Sequence, residues 1–514
     1  MADQSRRGFL ADVGGGMLLA SLGPALTRDL GFASAHAAEG SDALSFGKME
    51  PLVALMQDTP AEKLLPALSK KLADGVDLRT LIAAGALANA RSFGGQDYDG
   101  YHVLMALTPA LHMSTELPKE QAALPVFKVL YRNTNRIQQN GGRKNEVLHT
   151  IEPADLPGGK LTEGALQAMT RKADLHGAEQ LLAAMSKVSI DEAYQQLQYA
   201  IQDEVDVHRV VLSWRSWAIH DVTGMEHAAT LLRQSVRYCV NSEKDRIAKK
   251  RPEPSIRALL PKLLDQHKLL AGAKKARSED DAWIAQLSET IYGSNRDQAA
   301  EAVAAALAEG FRRDAVAEAI CVAANLLVLR DPGRRNAEPG KPVGSVHGAS
   351  VGVHASDSAN AWRNIAKVSN DRNAIASLIV GAYHTAGQSG GQNKTAYPLP
   401  EHLEPIGTKD AAMLLRDAEA AIKDKDQAKA CALVYRYAEL GHAPRAAFDV
   451  LLKFAVSEDG ALHAEKYYRT VSEEFATTRP AFRNRQLAAL ARVTASEAGF
   501  PAPGYAEACK LVKG

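Results

Sequence analysis

The chain has 514 residues, a length that suggests two or more domains or one large helical assembly. Hydrophobic residues make up 46% of it and charged residues 24%, which indicates a globular rather than a disordered protein. The net charge of +1 gives no footprint for nucleic acid or for an anionic membrane. An aromatic content of 6% argues against a base-stacking or carbohydrate-binding surface.

The N-terminus has the pattern of an export signal. Arg6 and Arg7 precede Phe9 and Leu10, an apolar stretch follows, and Ala35-His-Ala37 has the small-residue spacing of a signal-peptidase site. Paired arginines in this position resemble a twin-arginine (Tat) signal, and the resemblance implies export of an already folded protein through the Tat machinery. We therefore expect residues 1–37 to be a signal peptide. We expect the mature protein to lie in a bacterial periplasm or outside the cell, without a membrane anchor after cleavage.

Helical spacing of apolar residues dominates the remaining chain, which we divide into an N-terminal half, 38–250, and a C-terminal half, 251–514. The first half predicts helices at about 61–74, 78–90, 101–116, 119–139, 190–219 (one long helical region) and 225–240. The second half predicts helices at about 255–271, 279–291, 296–309, 313–329, 355–368, 371–385, 409–422, 426–440, 443–456, 461–475 and 481–498. Strand patterns are nearly absent, so the sequence predicts an all-α fold.

A degenerate repeat runs through these helices. Several helix ends are closed by glycine in a C-cap-like position and followed by an Ala-rich helix: Gly75, Gly310 and Gly441. After a variable loop, the next helix opens with histidine: His102, His354 and His463, with His227 in a fourth helix start. Helix pairs of this kind bury their faces only against neighbours. The pattern predicts stacked helix-pair repeats that form a curved array or an α/α ring-like assembly.

Two pairs of histidines share one spacing. Six residues separate His220 from His227 and six separate His347 from His354, and each pair spans a Gly-containing loop before a helix. Neutral imidazole is the commonest metal ligand among side chains, so we predict a metal site made by these four histidines, with His102 as a further ligand and iron as the favoured metal. His347, His354 and Asp357 are the predicted catalytic groups. The alternative is that each histidine hydrogen-bonds its own loop and the two pairs lie far apart.

Substrate-binding residues are predicted on two segments. Arg209, Trp214 and Arg215 lie on one helical stretch that could form a cavity wall, with an arginine holding an anionic substrate group. A Gly-rich loop carries Gln392, Asn393 and Lys394, which could close over a pocket. The alternative for the first segment is a helix anchored by core tryptophans, with its arginines paired to acids.

Short motifs around the histidines resemble a known family. His347-Gly-Ala-Ser, His354-Ala-Ser and His227-Ala-Ala are similar to the His-Ala motifs of the questin oxidase-like family, which are helical, flavin-independent oxygenases. The region 206–239 also resembles Tat-exported helical proteins of unassigned function. The first resemblance implies oxidative chemistry at clustered histidines, hence an exported oxidoreductase acting on a small molecule. Two alternatives stay open: a helical-repeat ligand-binding or scaffold protein, and a hydrolase with a metal-activated water.

Overall fold

A computed structural model describes residues 43–156, 162–272 and 275–512. The predicted signal peptide, 1–37, lies outside the described residues. Within the described ranges, regular structure consists of helices, and extended pairing is limited to isolated bridges such as Ala43 with His149. The all-α prediction is confirmed. None of the helices found in these ranges is long and apolar enough to cross a membrane.

The helices of the first half are short to medium in length. They are α1 (Glu50–Asp58), α2 (Ala61–Ala73), α3 (Leu78–Phe93), α4 (Tyr98–Glu116), α5 (Ala123–Gln139), α6 (Ala165–Arg171), α7 (Leu175–Val188), α8 (Ile190–Ile201), α9 (Val207–Ala218), α10 (His220–Thr223) and α11 (Ala228–Ala248). Short 3₁₀ turns add Gly47–Met49, Gly142–Asn145 and Met225–His227.

The second half continues in the same way. Its helices are α12 (Ile256–Gln266), α13 (Asp281–Gly293), α14 (Arg296–Ala308), α15 (Arg313–Leu329), α16 (Val351–Val368), α17 (Asp371–Thr385), α18 (Pro400–Leu403), α19 (Ala411–Lys423), α20 (Gln427–Glu439), α21 (Pro444–Ser457), α22 (His463–Thr477), α23 (Pro480–Glu497) and α24 (Tyr505–Leu511). A 3₁₀ turn, Gly460–Leu462, leads directly into α22.

The long helical region expected from 190 to 219 is wrong, because it breaks in the middle. Helix α8 ends at Ile201, and α9 begins only at Val207. Asp206 is the N-cap of α9, and its carboxylate accepts a hydrogen bond from the Arg209 amide. This cap satisfies a backbone donor that a helix start leaves free, and it places His208 in the first turn of a helix rather than in the middle of one.

Four helices surround a common core at the centre of the fold. Helices α4, α9, α16 and α22 each pack against two of the others, in the cyclic order α4–α9–α16–α22. Each also packs against an outer helix, namely α3, α11, α15 and α23 respectively. Side-by-side packing of helix pairs is therefore present. The curved array or ring stays a prediction, since neighbouring contacts do not establish overall curvature. Each predicted half of the chain contributes two of the four central helices.

One glycine sets the position of a central helix. A Cβ atom at Gly352, in the first turn of α16, would lie 2.6 Å from the Val328 amide nitrogen and 2.7 Å from the Leu327 carbonyl carbon in α15. Both atoms belong to the backbone, so no side-chain rotation could relieve the clash. Glycine thus lets the backbones of α15 and α16 touch. This contact fixes where His354, two residues further on, lies along α15.

A buried ion pair joins the first turn of α22 to α5. Lys128 of α5 places its Nζ 2.6 Å from Oε1 of Glu465, and both side chains are almost completely buried, at 1% and 0% exposure. The same ammonium donates to the carbonyls of Ala455 and Glu458. A lysine buried to this degree needs such partners, because an unpaired buried charge is strongly unfavourable.

Candidate functional site

Four histidines meet at one end of the central helices. His102 is the fifth residue of α4, His208 the second of α9, His354 the fourth of α16 and His463 the first of α22. Their ring centroids are 4.8 Å apart for His102–His208, 5.8 Å for His208–His354, 5.4 Å for His354–His463 and 5.2 Å for His463–His102. The rings therefore form a closed cycle, which we call the histidine cluster. Because all four lie near helix starts, the four central helices run parallel.

Ring nitrogens point into the cluster without being used elsewhere. Nε2 of His354 lies 3.3 Å from Nε2 of His463. Nδ1 of His102 lies 2.7 Å from the Tyr98 carbonyl, so Nδ1 carries the proton and donates it there, which leaves the Nε2 lone pair free. Nε2 of His102 and Nε2 of His208 are buried and have no hydrogen-bond partner. Buried polar atoms are rarely left without partners, so two in one cluster need an explanation.

Three of the four cluster histidines are held in their uncharged form. His102, His354 and His463 are 2%, 8% and 4% exposed. Burial lowers the pKa of each of these three histidines well below its ordinary value, and the nearby Lys466 ammonium lowers it further. At neutral pH they are therefore neutral imidazoles, the form that binds metal ions.

Tyrosines and one aspartate border the cluster on the α4–α9 side. The rings of Tyr98 and Tyr101 lie 4.3 and 5.1 Å from the His102 ring, measured between centroids. Asp206 places Oδ1 3.7 Å from Nδ1 of His208 and accepts a hydrogen bond of 2.7 Å from the Tyr238 hydroxyl. A carboxylate beside Nδ1 favours the tautomer in which Nε2 of His208 is free to bind a ligand.

Charged side chains continue inward from the cluster, between the central helices. Asp357 lies one turn after His354, and its Oδ1 accepts a hydrogen bond of 2.8 Å from Thr470. Lys466 lies one turn after His463 and Arg215 two turns after His208, and both are buried, at 3% and 5% exposure. Burial raises the pKa of Asp357, lowers that of Lys466 to about 8, and lowers that of Arg215. The core between the helices is thus polar near the cluster.

The predicted loop at His347 lies outside the cluster and next to a small cavity. Nδ1 of His347 accepts a hydrogen bond from the Ala349 amide, and Nε2 lies 4.0 Å from Glu497. A cavity of about 30 Å³ is lined by Gly348, Glu497, His463 and other residues. On this measure, a space of about 10–15 Å³ already admits one water molecule. Of the three predicted catalytic residues, His354 is in the cluster and Asp357 lies one turn further along α16. His347 precedes Gly348, which lines the cavity.

The structure does not bring His220 and His227 to the cluster. His208 and His220 mark the two ends of α9, and 12 residues of nearly continuous helix separate them by about 18 Å at 1.5 Å per residue. His220 packs on Trp217, and the His227 ring packs on Phe46 with 5.6 Å between centroids. A single ion could not be shared over such a length. The partners of His354 are therefore His102, His208 and His463 rather than the pair predicted from spacing.

The predicted substrate-binding residues separate into different environments. The Arg209 guanidinium donates to Glu204, 3.0 Å away, and to the Ala200 carbonyl, so its donors are used within the protein. Arg215 is buried with no partner for Nε, and the nearby Trp214 Nε1 also lacks one. The loop of Gln392, Asn393 and Lys394 is tied to α15, where the Asn393 amide donates to the Arg330 carbonyl.

Known metal geometry can be compared with the cluster. Four nitrogens bound tetrahedrally at about 2.0–2.1 Å lie about 3.3–3.4 Å from one another. The distance between His354 Nε2 and His463 Nε2, 3.3 Å, agrees with this value. As the described side chains stand, no three of His, Cys, Asp or Glu already form a complete metal-holding group. The residue types, the neutral state of His102, His354 and His463, and the unpartnered Nε2 atoms of His102 and His208 nevertheless suit a metal ion.

Two of the cluster histidines could not be assigned from spacing alone. His208 lies inside a helical pattern that looks continuous, and His463 opens a helix that the histidine spacing does not link to His354. The available signal is the Asp206 cap followed two residues later by His208, which adds a fifth histidine at a helix start. Comparison with family models, with curated proteins and with solved structures finds no match for the chain. The site is therefore interpreted from its own chemistry.

Proposed function

We propose that the protein is an oxidoreductase that acts on a small molecule at a metal ion held by the histidine cluster. The observation that carries the proposal is the convergence of four histidines from four helices, with buried, unpartnered Nε2 atoms on His102 and His208. A purely structural histidine normally uses both ring nitrogens in hydrogen bonds or exposes them to water. The buried Nε2 atoms of His102 and His208 lack that explanation, whereas a shared metal ion would supply it.

The ligand set favours a transition metal. Imidazole nitrogens suit iron, copper, zinc and nickel, and no thiolate or carboxylate is part of the histidine cluster. Bound iron, the metal favoured by the sequence, would supply one-electron chemistry and a site for a small ligand. The protein's own part is to orient the rings: the Tyr98 carbonyl fixes the His102 tautomer, and Asp206 borders Nδ1 of His208.

One feature favours oxidation–reduction over hydrolysis. Tyr98 and Tyr101 lie against the cluster, and tyrosine is a side chain that can give up one electron. A metal-dependent hydrolase remains the second candidate, because zinc binds the same ligands.

Metal analysis of the protein folded in the cytoplasm tests the proposal. We expect about one transition-metal ion per chain, lost on treatment with a strong chelator and restored by Fe²⁺ or Cu²⁺. We also expect a change in the absorption spectrum when a mild reductant is added. Failure to bind Fe²⁺, Cu²⁺, Zn²⁺ or Mn²⁺ would favour the helical ligand-binding alternative. Binding of Zn²⁺ alone, with no redox response, would favour the hydrolase.

We further propose that the protein reaches the periplasm by the Tat route, on the basis of Arg6, Arg7 and Ala35-His-Ala37. Tat substrates fold before transport, which suits a metal site that must form before export. Replacing both arginines by lysine is expected to leave the precursor in the cytoplasm, as seen by immunoblotting of cell fractions. Mature protein reaching the periplasm at the normal level would contradict the Tat assignment.

A further inference from the structure

Two buried cations lie directly inward of the histidine cluster without an ion-pair partner. Lys466 and Arg215 are 3% and 5% exposed. No described carboxylate lies within ion-pair distance of either, and Nε of Arg215 has no hydrogen-bond partner. By contrast, buried Arg209 is paired with Glu204, and buried Arg363 donates to Glu474 at 2.7 Å. Buried Arg492 also has no carboxylate partner, but it donates to Gln427 and to the carbonyls of Val328 and Asp331. Arg215 and Lys466 differ from all three arginines, because neither kind of side-chain partner is found for them among the described residues.

The local charges do not balance. Asp357 faces both cations, and its Oδ1 accepts a hydrogen bond from Thr470. Glu473 faces Arg215 as well, and it is paired with Arg469 at 2.6 Å. The three cations Arg215, Lys466 and Arg469 thus face two carboxylates, which leaves one positive charge in excess. An uncompensated charge in a buried site is costly, and a bound anion would remove the cost.

The two cations are also placed at different depths. Along the parallel helices, Lys466 lies three residues below His463 and Arg215 lies seven residues below His208, which is about 4.5 Å and about 10.5 Å at 1.5 Å per residue. A small anion between them would have Lys466 on the cluster side and the guanidinium on the far side. The planar guanidinium matches a carboxylate with two parallel hydrogen bonds, whereas the ammonium acts as a point charge.

We propose that Arg215 and Lys466 bind a small carboxylate beside the histidine cluster, and that this carboxylate is the substrate or a part of it. The claim that the carboxylate is a substrate rests on the proposed function. The anion site itself rests only on the two unpaired cations. The sequence expectation named Arg209 and Arg215 as alternatives for an anionic group. Arg209 is excluded by its own ion pair, and Lys466 on α22 takes its place.

The ammonium of Lys466 remains available for such a role. Burial lowers its pKa to about 8, and the opposing attraction of Asp357 is not enough to restore the ordinary value. The charged form still predominates at pH 7. A negative charge bound next to it would stabilise that form further, as any opposite charge nearby does.

Binding of simple anions tests the inference. The metal-free, chelator-treated protein is titrated calorimetrically with formate, acetate and chloride, in a buffer whose other anions are bulky sulfonates. We expect formate and acetate to bind, and chloride to bind more weakly because it cannot form the paired hydrogen bonds. Arg215→Met and Lys466→Met are each expected to weaken formate binding by about tenfold or more, the usual effect of losing a charged hydrogen bond.

Arg209→Met is the matched control, since it removes a buried arginine of the same helix that already has a partner. It is expected to lower the melting temperature but to leave formate affinity unchanged, whereas Arg215→Met in anion-poor buffer is expected to cost little stability. Unchanged formate affinity in Arg215→Met would overturn the proposal. So would chloride binding as tight as formate. If the protein binds formate but no metal, the anion site is supported and the metal function is rejected. If it binds metal but no formate, the metal function is supported and the anion site is rejected.

Discussion

Replacing His354 by alanine is expected to lower metal affinity by at least about 10–100-fold, while the helical circular dichroism spectrum stays unchanged. Loss of a partner that only orients a ligand typically has an effect of this size, and loss of a ligand should have no smaller one. His354 is central to the cluster, with Nε2 3.3 Å from His463 and its ring next to His208. Elemental analysis and competition with a coloured chelator measure the change.

His220→Ala and His227→Ala are the matched controls. Both histidines lie at the other end of α9, where they pack on Trp217 and Phe46, so neither change should alter metal content. Substitution of His208, which spacing did not nominate, should resemble that of His354. If His220→Ala abolished metal binding and His354→Ala did not, the site would lie in the loops and the cluster would be structural.

Glu465→Ala is expected to lower the free energy of unfolding by about 3–5 kcal/mol. The substitution leaves the Lys128 ammonium buried at 1% exposure without its carboxylate, and breaking a buried ion pair typically has a cost of this size. The start of α22 carries His463 two residues before Glu465, so metal affinity should fall as well. Urea denaturation followed by circular dichroism measures the stability of the metal-free protein.

An exposed ion pair supplies the comparison. Lys70 and Asp74 lie 2.9 Å apart on the surface of α2, with side chains 74% and 49% exposed, and Asp74→Ala is expected to change stability by no more than about 0.5 kcal/mol. The double change Lys128→Met with Glu465→Leu should recover part of the loss, since it removes both charges. Equal losses for Glu465→Ala and Asp74→Ala would show that the buried pair contributes nothing special.

The sequence predicts the class of fold well, because helical spacing is a local property. The helix from Leu78 and the helix ending at Leu329 appear almost where apolar spacing placed them. The break between α8 and α9 was missed because residues 202–206 contain neither glycine nor proline. The signal there is Asp206, which caps the start of α9 after α8 has ended at Ile201.

The site was predictable only in part, and the reason is the distance between its members along the chain. His102 and His354 were nominated as ligands, yet the equal spacing of His220–His227 and His347–His354 pointed to loops that the fold keeps apart. Local spacing reports what a loop can bring together, whereas the cluster depends on which helices become neighbours. Arg215 illustrates the same limit: it lies on the same helix as Arg209, and only packing shows that Arg209 has an ion-pair partner and Arg215 has none.

The parallel arrangement of the four central helices makes the cluster a late product of folding. His102 and His463 are separated by 361 positions, and α22 follows nearly all of the chain in order of synthesis. Contacts between such distant segments form slowly, because the entropy of closing a long loop is lost before the contacts contribute any favourable free energy. A nascent or truncated chain lacking α22 can present three of the four rings at most. Completion of the metal site would therefore report that both ends of the polypeptide have docked, and ion binding would stabilise only the finished protein.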